Sequence, residues 1–160
     1  FYGDGIAGDF AELFASHLAL AAELVRAAKA GNHAAAADAE ARWYQNADQI
    51  AAFLGSINPY WSAIEWQKML YDHLAMTKTE AVDLLTQKYE DSIALLEHIE
   101  REALVMADRM TQGIAKQFSQ YFKLKKISFH SRPVFYIYYV FIFNNITFII
   151  LLTKLEIISL

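Results

Sequence analysis

Apolar residues recur every three or four positions through most of residues 9–118, which is the spacing of one face of an α-helix. Gly31 and Gly55 are typical helix stops, and Asn32 and Ser62 are typical helix starts. A T-K-T-E capping-box pattern that begins at Thr77 predicts one more break. These signals divide the chain into five predicted helices at about residues 9–30, 33–54, 63–76, 78–88 and 91–118. Because the connections are short, the sequence predicts an all-α, antiparallel up-down bundle of four to five helices.

The last 40 residues follow a different pattern from the rest of the chain. Residues 1–120 contain 25 Ala and carry a net charge of −8, whereas residues 121–160 contain no Ala and carry a net charge of +4. The change in composition predicts a helical bundle domain over residues 1–120 and a separate, apolar tail with basic flanks over residues 121–160.

Three interpretations of this tail stay open. Its Ile, Phe, Tyr, Lys and Asn bias is typical of an out-of-frame extension. Alternatively, residues 134–152 form an uncharged stretch of membrane-spanning length, although Asn144 and Asn145 would lie in its middle. The third interpretation is a β-hairpin formed by residues 135–143 and 146–152. The bundle domain is expected in the cytoplasm, and at the membrane if residues 134–152 are a genuine anchor.

Composition excludes several kinds of site. The chain has no Cys, which rules out disulfides, thiolate zinc sites and a Cys nucleophile, and it has no Gly-rich phosphate loop. The net charge of −8 over residues 1–120 argues against nucleic acid as a partner. No nucleophile or acid–base pair can be assigned, so an enzyme is the least favoured class of function.

Four polar side chains interrupt the apolar stripes of the predicted helices: those of His17, Asn46, His73 and Glu100. Such groups are costly to bury unless they are satisfied. At a rise of about 1.5 Å per residue, His17, Asn46 and His73 lie at similar heights in an antiparallel bundle. Asp108 is the alternative carboxylate, because it lies closer to the height of His73 than Glu100 does. Two His and one carboxylate inside a bundle are typical of a divalent metal site.

Two hypotheses of function follow. In the first, the polar core binds a divalent metal or a small ligand through His17 and His73, with Glu100 or Asp108 assisting. Asn46 would contribute to a ligand pocket together with two aromatic side chains, those of Trp43 and Trp66. In the alternative, the bundle is a structural or interaction module whose polar groups only hydrogen-bond to one another.

Several motifs in order carry a family resemblance. They are R-W-Y-Q-N-A-D-Q-I-A-A-F-L at residues 42–54, N-P-Y-W-S at 58–62, M-L-Y-D-H-L-A-M-T at 69–77 and M-A-D-R-M-T-Q-G-I-A-K-Q-F at 106–118. Over about residues 1–118 the chain resembles a family of small, uncharacterised all-helical proteins of Gram-positive bacteria. Some members carry labels such as acetylglutamate kinase or glycosyltransferase. The first label requires an α/β fold with Gly-rich phosphate loops, and this sequence has none.

The resemblance implies that family members begin one helix earlier and end shortly after residue 118. His17, Asn46 and His73 fall on polar positions of the family motifs, and Glu100 falls where other members have His. A missing first helix would leave an apolar groove along the bundle. This groove would offer a surface for homo-oligomer formation or for the tail.

Overall fold

The structure, a computed structural model, describes residues 1–123 and consists there of helices only. The helices are α1 (Gly3–Lys29), α2 (His33–Ile57), α3 (Ala63–Leu85), α4 (Tyr89–Gln117) and the short α5 (Ser119–Lys123). Each long helix packs mainly against the next one in the chain, and connections of three to five residues make these neighbours antiparallel. The predicted all-α bundle is therefore confirmed.

The predicted cap residues begin two of the four long helices. Asn32 accepts a hydrogen bond from the backbone N–H of Ala35 at 3.1 Å, and Ser62 accepts one from Glu65 at 3.3 Å. Gly31 takes a φ of +68°, a left-handed conformation that suits glycine at the end of a helix. The boundary between α1 and α2 therefore follows from local backbone chemistry.

The predicted break at Thr77 is wrong, because α3 continues without interruption to Leu85. A capping box requires its first residue to leave the helical conformation. Here the Thr79 hydroxyl instead donates to the carbonyl of Ala75 at 2.9 Å, as threonine does inside a helix. The helix α3 packs against both α2 and α4, and its buried residues Leu74 and Glu80 lie on either side of Thr77, so packing keeps the segment helical.

The two helical hairpins, α1–α2 and α3–α4, repeat one another with an offset of 56 residues. His17 and His73 match under this offset, and the sequences H-L-A-L and H-L-A-M begin at them. The turns match as well, because Gln87 takes a φ of +62° at the position that corresponds to Gly31. The helices α2 and α4 begin at equivalent positions, His33 and Tyr89. The bundle thus consists of two similar hairpins packed around one core.

One end of the bundle is closed by aromatic rings and hydrogen bonds. The Trp61 indole packs on Gly113 of α4 and donates to the carbonyl of Arg109 at 3.1 Å. Asn58, which is fully buried, donates to the hydroxyl of Tyr2 at 2.8 Å. Tyr2 in turn donates to Gln117 of α4 at 2.7 Å. These bonds join the start of the chain, the α2–α3 connection and the end of α4.

The three interpretations of the tail concern residues outside the part of the chain that the structure describes. This includes the candidate membrane span at residues 134–152 and the bulk of the predicted tail domain. Within residues 1–123, none of the helices has both the length and the apolar character needed to cross a bilayer.

Candidate functional site

Each of the four long helices contributes one polar side chain to a layer in the bundle interior. These side chains, which we call the polar layer, are His17 of α1, Asn46 of α2, His73 of α3 and Glu102 of α4. Each hairpin holds one pair, and both pairs span 29 residues. The two pairs are therefore equivalent under the repeat of the hairpins. The predicted meeting of His17, Asn46 and His73 in the core matches this arrangement.

The His17 imidazole is held in one tautomer by Asn46. The Asn46 amide nitrogen donates to the carbonyl of Leu13 at 3.1 Å, which turns its amide oxygen toward His17 Nδ1 at 2.7 Å. His17 Nδ1 must therefore carry the proton, and Nε2 is left as the acceptor. The pKa of His17 is lowered to about 4, chiefly by burial; the bond to Asn46 opposes this shift, and the charge of nearby His73 adds to it. His17 is consequently neutral at pH 7.

The carboxylate beside His73 is that of Glu102, with Oε2 at 3.0 Å from Nδ1. The side chains of both residues are largely buried, at 11% and 16% exposure. The expectation that Glu100 or Asp108 would supply this carboxylate is wrong, because both lie on the exposed surface of α4. The other oxygen of Glu102, Oε1, is buried and has no hydrogen-bond partner.

The continuous α3 explains why Glu102 takes this place. The chain reverses at residues 86–88, and His73 and Glu102 lie at nearly equal distances along the chain on either side of that turn. Equal rise along two antiparallel helices therefore brings them to the same height. The sequence pattern predicts this turn later, at residues 89–90, and that position moves the expected partner along α4 toward Asp108.

Among the residues that the structure describes, no group of three or more His, Asp or Glu side chains is arranged to hold a metal ion. Asn46 and Glu102 bind the Nδ1 atoms of the two His residues, so each imidazole is oriented by a side chain of the neighbouring helix. The polar layer is thus built as two hydrogen-bonded pairs.

A cavity of about 210 Å³ lies among α1, α2 and α3, toward the α1–α2 turn. Its lining is mostly Ala, Leu and Val. Trp43 connects it to the polar layer, since this ring lines the cavity and its centroid is 5.4 Å from that of His17. Thr77, which follows His73 by one turn of α3, is part of the lining as well. The polar layer and the cavity are therefore contiguous.

Trp43 Nε1 and Thr77 Oγ1, which belong to residues of the lining, are buried without a hydrogen-bond partner. The other three threonines of residues 1–123 all donate to the carbonyl four residues earlier, at 2.8–2.9 Å. Thr77 does not make this bond. Glu80 also lines the cavity and is buried, and it interacts with another residue. The cavity therefore combines mostly apolar walls with the Trp43 indole, the Thr77 hydroxyl and a few charged side chains, among them those of Glu40 and Lys78.

Of the two predicted aromatic ligand residues, only Trp43 lies at this site. Trp66 lies two turns before His73 on α3, where its ring packs edge-on against Trp61 at 6.2 Å. It is 4% exposed and belongs to the hydrophobic core.

A wider groove of about 560 Å³ runs along α1 and α2. Its walls include the charged residues Asp9, Glu12 and Arg42, and Asn46 lies at its base. Arg42 is already bound to Glu23 and Asp38. The groove is open to solvent and its principal cation is paired, so the smaller cavity is the better candidate for a ligand site.

Sequence reasoning missed Thr77 and Glu102 as members of the site. The capping pattern places Thr77 at a helix start, and Glu100 and Asp108 are the predicted carboxylates in place of Glu102. The 56-residue repeat is the signal that could have located both. It matches Glu102 with Asn46, and it matches Thr77 with the core residue Ala21.

Comparison of the chain with protein-family models, with curated proteins and with solved structures finds no match in any of the three.

Proposed function

We propose that this bundle binds a small molecule in the cavity among α1, α2 and α3, with the polar layer forming the adjoining wall. The observation that carries the proposal is the pair of unpartnered polar atoms, Trp43 Nε1 and Thr77 Oγ1, on a cavity of about 210 Å³. Buried polar atoms are nearly always hydrogen-bonded, and leaving one unpaired costs about 1–3 kcal/mol. A bound molecule that supplies the missing partners recovers this cost.

The repeat of the two hairpins supports a binding role over a purely structural one. The positions in α1 that correspond to Thr77 and Glu80 are Ala21 and Leu24, which line the same cavity and are buried. Apolar side chains are therefore compatible with this layer of the fold. The polar side chains of α3 are an addition that packing does not require.

Thermal unfolding with acetophenone and cumene tests the proposal. A dry cavity of about 150 Å³ is large enough for benzene, so the present cavity has room for molecules of about eight or nine non-hydrogen atoms. Binding to the folded state alone must raise the unfolding temperature in proportion to ligand saturation. We expect at least one of the two compounds to raise it.

The control variants are Ala81→Leu, which fills the cavity, and Ala75→Leu, which adds the same atoms on the exposed face of the same helix. The increase in unfolding temperature should disappear in Ala81→Leu and persist in Ala75→Leu. No increase with either compound, or an increase that persists in Ala81→Leu, would contradict binding in this cavity.

A second measurement addresses the alternative of a divalent metal. Elemental analysis of the purified protein, and of its His17→Ala and His73→Ala variants, should find no stoichiometric metal. A metal present at one equivalent and lost in both variants would replace the present proposal with a metal site between the two hairpins.

A further inference from the structure

We infer that the cavity among α1, α2 and α3 selects an uncharged, mainly apolar molecule whose oxygen accepts hydrogen bonds from Trp43 Nε1–H and Thr77 Oγ1–H. This inference rests on the proposed function and names the chemical class of its ligand. Three features of the cavity support it: the direction of the available hydrogen bonds, the charges around the cavity and the apolar character of the walls.

The direction of the hydrogen bonds follows from the two unpartnered atoms. An indole nitrogen can only donate, so Trp43 requires an acceptor. A threonine hydroxyl can donate as well as accept. The Thr77 hydroxyl does not donate to the carbonyl of His73, four residues earlier. The hydroxyls of Thr79, Thr86 and Thr111 each donate to the carbonyl at that position. An oxygen with two lone pairs is therefore the kind of ligand atom that can accept from either group.

The charges around the cavity disfavour an anion. Glu80 is buried in the lining, and Glu40 lies at the same cavity with its carboxylate 2.6 Å from Lys78 Nζ. The one Lys of the lining is thus already neutralised. A carboxylate ligand would lie beside two acidic side chains, and the lysine of the described lining is already paired with one of them.

A cationic ligand is disfavoured for a related reason. Glu40 is paired with Lys78, and Glu80 has an interaction partner as well. A buried cation needs a carboxylate or several acceptors, and its desolvation is costly without them. The Trp43 indole N–H and the Thr77 hydroxyl suit a neutral carbonyl or ether oxygen better than an ammonium.

The apolar walls of the cavity determine the character of the rest of the ligand. Leu24, Val25 and Leu84 are among the aliphatic side chains that face the cavity, and they favour an apolar body of similar size to a substituted benzene ring. The polar atoms are a minority of the lining. The expected ligand is therefore mostly hydrocarbon with one accepting oxygen.

Four probes of equal size separate these properties. Acetophenone, cumene, benzamidinium and benzoate each have nine non-hydrogen atoms and a phenyl ring, and they differ in the polar group. We expect calorimetry to show acetophenone binding about three- to tenfold more tightly than cumene, which is the contribution of a typical hydrogen bond. The two ions should bind at least about tenfold more weakly than acetophenone, because neither finds a counter-charge.

Thr77→Val keeps the shape of the side chain and removes the hydroxyl, and Thr79→Val is the matched control on the exposed face of α3. The affinity for acetophenone should fall about threefold or more in Thr77→Val and stay unchanged in Thr79→Val, while cumene binds both equally.

The outcomes distinguish the two proposals. Equal or tighter binding of cumene, or preferred binding of either ion, would overturn the inference and leave the proposed function in place. An acetophenone preference that survives Thr77→Val would overturn the assignment of Thr77 as a donor. If none of the four probes binds, both the inference and the proposed function fail.

Discussion

At the scale of single residues, the interior of this bundle contains polar groups of two kinds. His17 and His73 are paired with Asn46 and Glu102 by short hydrogen bonds between neighbouring helices. Trp43 Nε1 and Thr77 Oγ1 are buried with no partner. The paired groups join neighbouring helices, and the unpaired groups are those that the proposed ligand would satisfy. Stability measurements on single variants can separate these two roles.

Thr77→Val should leave the free energy of unfolding unchanged or raise it by up to about 1 kcal/mol, because it removes a buried hydroxyl that makes no bond. Thr79→Val, whose hydroxyl is bonded and exposed, is the comparison and should change stability by no more than about 0.5 kcal/mol. Urea unfolding measures both. A loss of more than about 1 kcal/mol in Thr77→Val would mean that the hydroxyl has a structural bond.

His17 should make the bundle sensitive to acid. Its pKa is about 4 in the folded protein and 6.5 for the ordinary side chain, so between these values only the unfolded chain takes up the proton. The contribution of neutral His17 to the free energy of unfolding is complete above pH 6.5. It declines as the pH falls toward 4, by about 3 kcal/mol in all.

Unfolding experiments on the protein and on His17→Gln give the free energy of unfolding at each pH from 7 to 4. The difference between the two slopes of this free energy against pH measures the contribution of His17. His17→Gln keeps a hydrogen-bonding side chain and does not titrate in this range. Parallel slopes for the two proteins would contradict this prediction, because they would show that His17 takes up its proton over the same pH range in the folded and the unfolded state.

At the scale of helices, the elements could be predicted from the sequence where local chemistry determines them. Asn32 and Ser62 cap the helices they were expected to cap, and Gly31 ends α1. The prediction failed at Thr77, where a capping pattern lies inside a helix that packing keeps continuous. Local patterns do not report such packing, because the partner residues lie on other helices.

The contact between α4 and the α2–α3 connection requires a glycine. A Cβ at Gly113 would overlap the Trp61 indole, which is buried and donates to Arg109. We expect Gly113→Ala to lower the free energy of unfolding by about 1–3 kcal/mol, despite its better helix propensity. Gly8→Ala in α1, where nothing lies within 4 Å of the new Cβ, should raise it by up to about 1 kcal/mol. Thermal unfolding of the Gly113→Ala and Gly8→Ala variants checks this prediction. Equal changes in unfolding temperature would contradict the contact between Gly113 and Trp61.

The α3–α4 turn carries backbone strain that glycine would relieve. Gln87 has a φ of +62° at the position where the first hairpin has Gly31. Gln87→Gly should therefore stabilise the protein by up to about 1 kcal/mol, whereas Gln112→Gly on the exposed face of α4 should destabilise it by about 1 kcal/mol. Urea unfolding compares the two. A destabilising Gln87→Gly would mean that the side chain, and not the backbone, determines this turn.

At the scale of the whole molecule, the sequence predicts the bundle and part of its site. The apolar periodicity predicts the helices, and residue counts across the turns bring His17, Asn46 and His73 to one height. The cavity could not be predicted, because its walls are Ala, Leu and Val residues of three helices that resemble ordinary core. Glu102 was missed because its place depends on the true length of α3. The duplication of the hairpins, in which H-L-A-L matches H-L-A-M, gives the correspondence between the two helix pairs that places Glu102 opposite His73.

The central claim is that a ligand oxygen accepts a hydrogen bond from Trp43 in the interior of the bundle. The chain has three Trp residues, and the Trp61 indole is already bonded to Arg109, so its N–H signal is an internal control. In a ¹H–¹⁵N spectrum recorded during titration with acetophenone, we expect the Trp43 indole N–H signal to move downfield while that of Trp61 stays in place. A Trp43 signal that does not move at saturating acetophenone, or that moves no more than the signals of Trp61 and Trp66, would contradict the account.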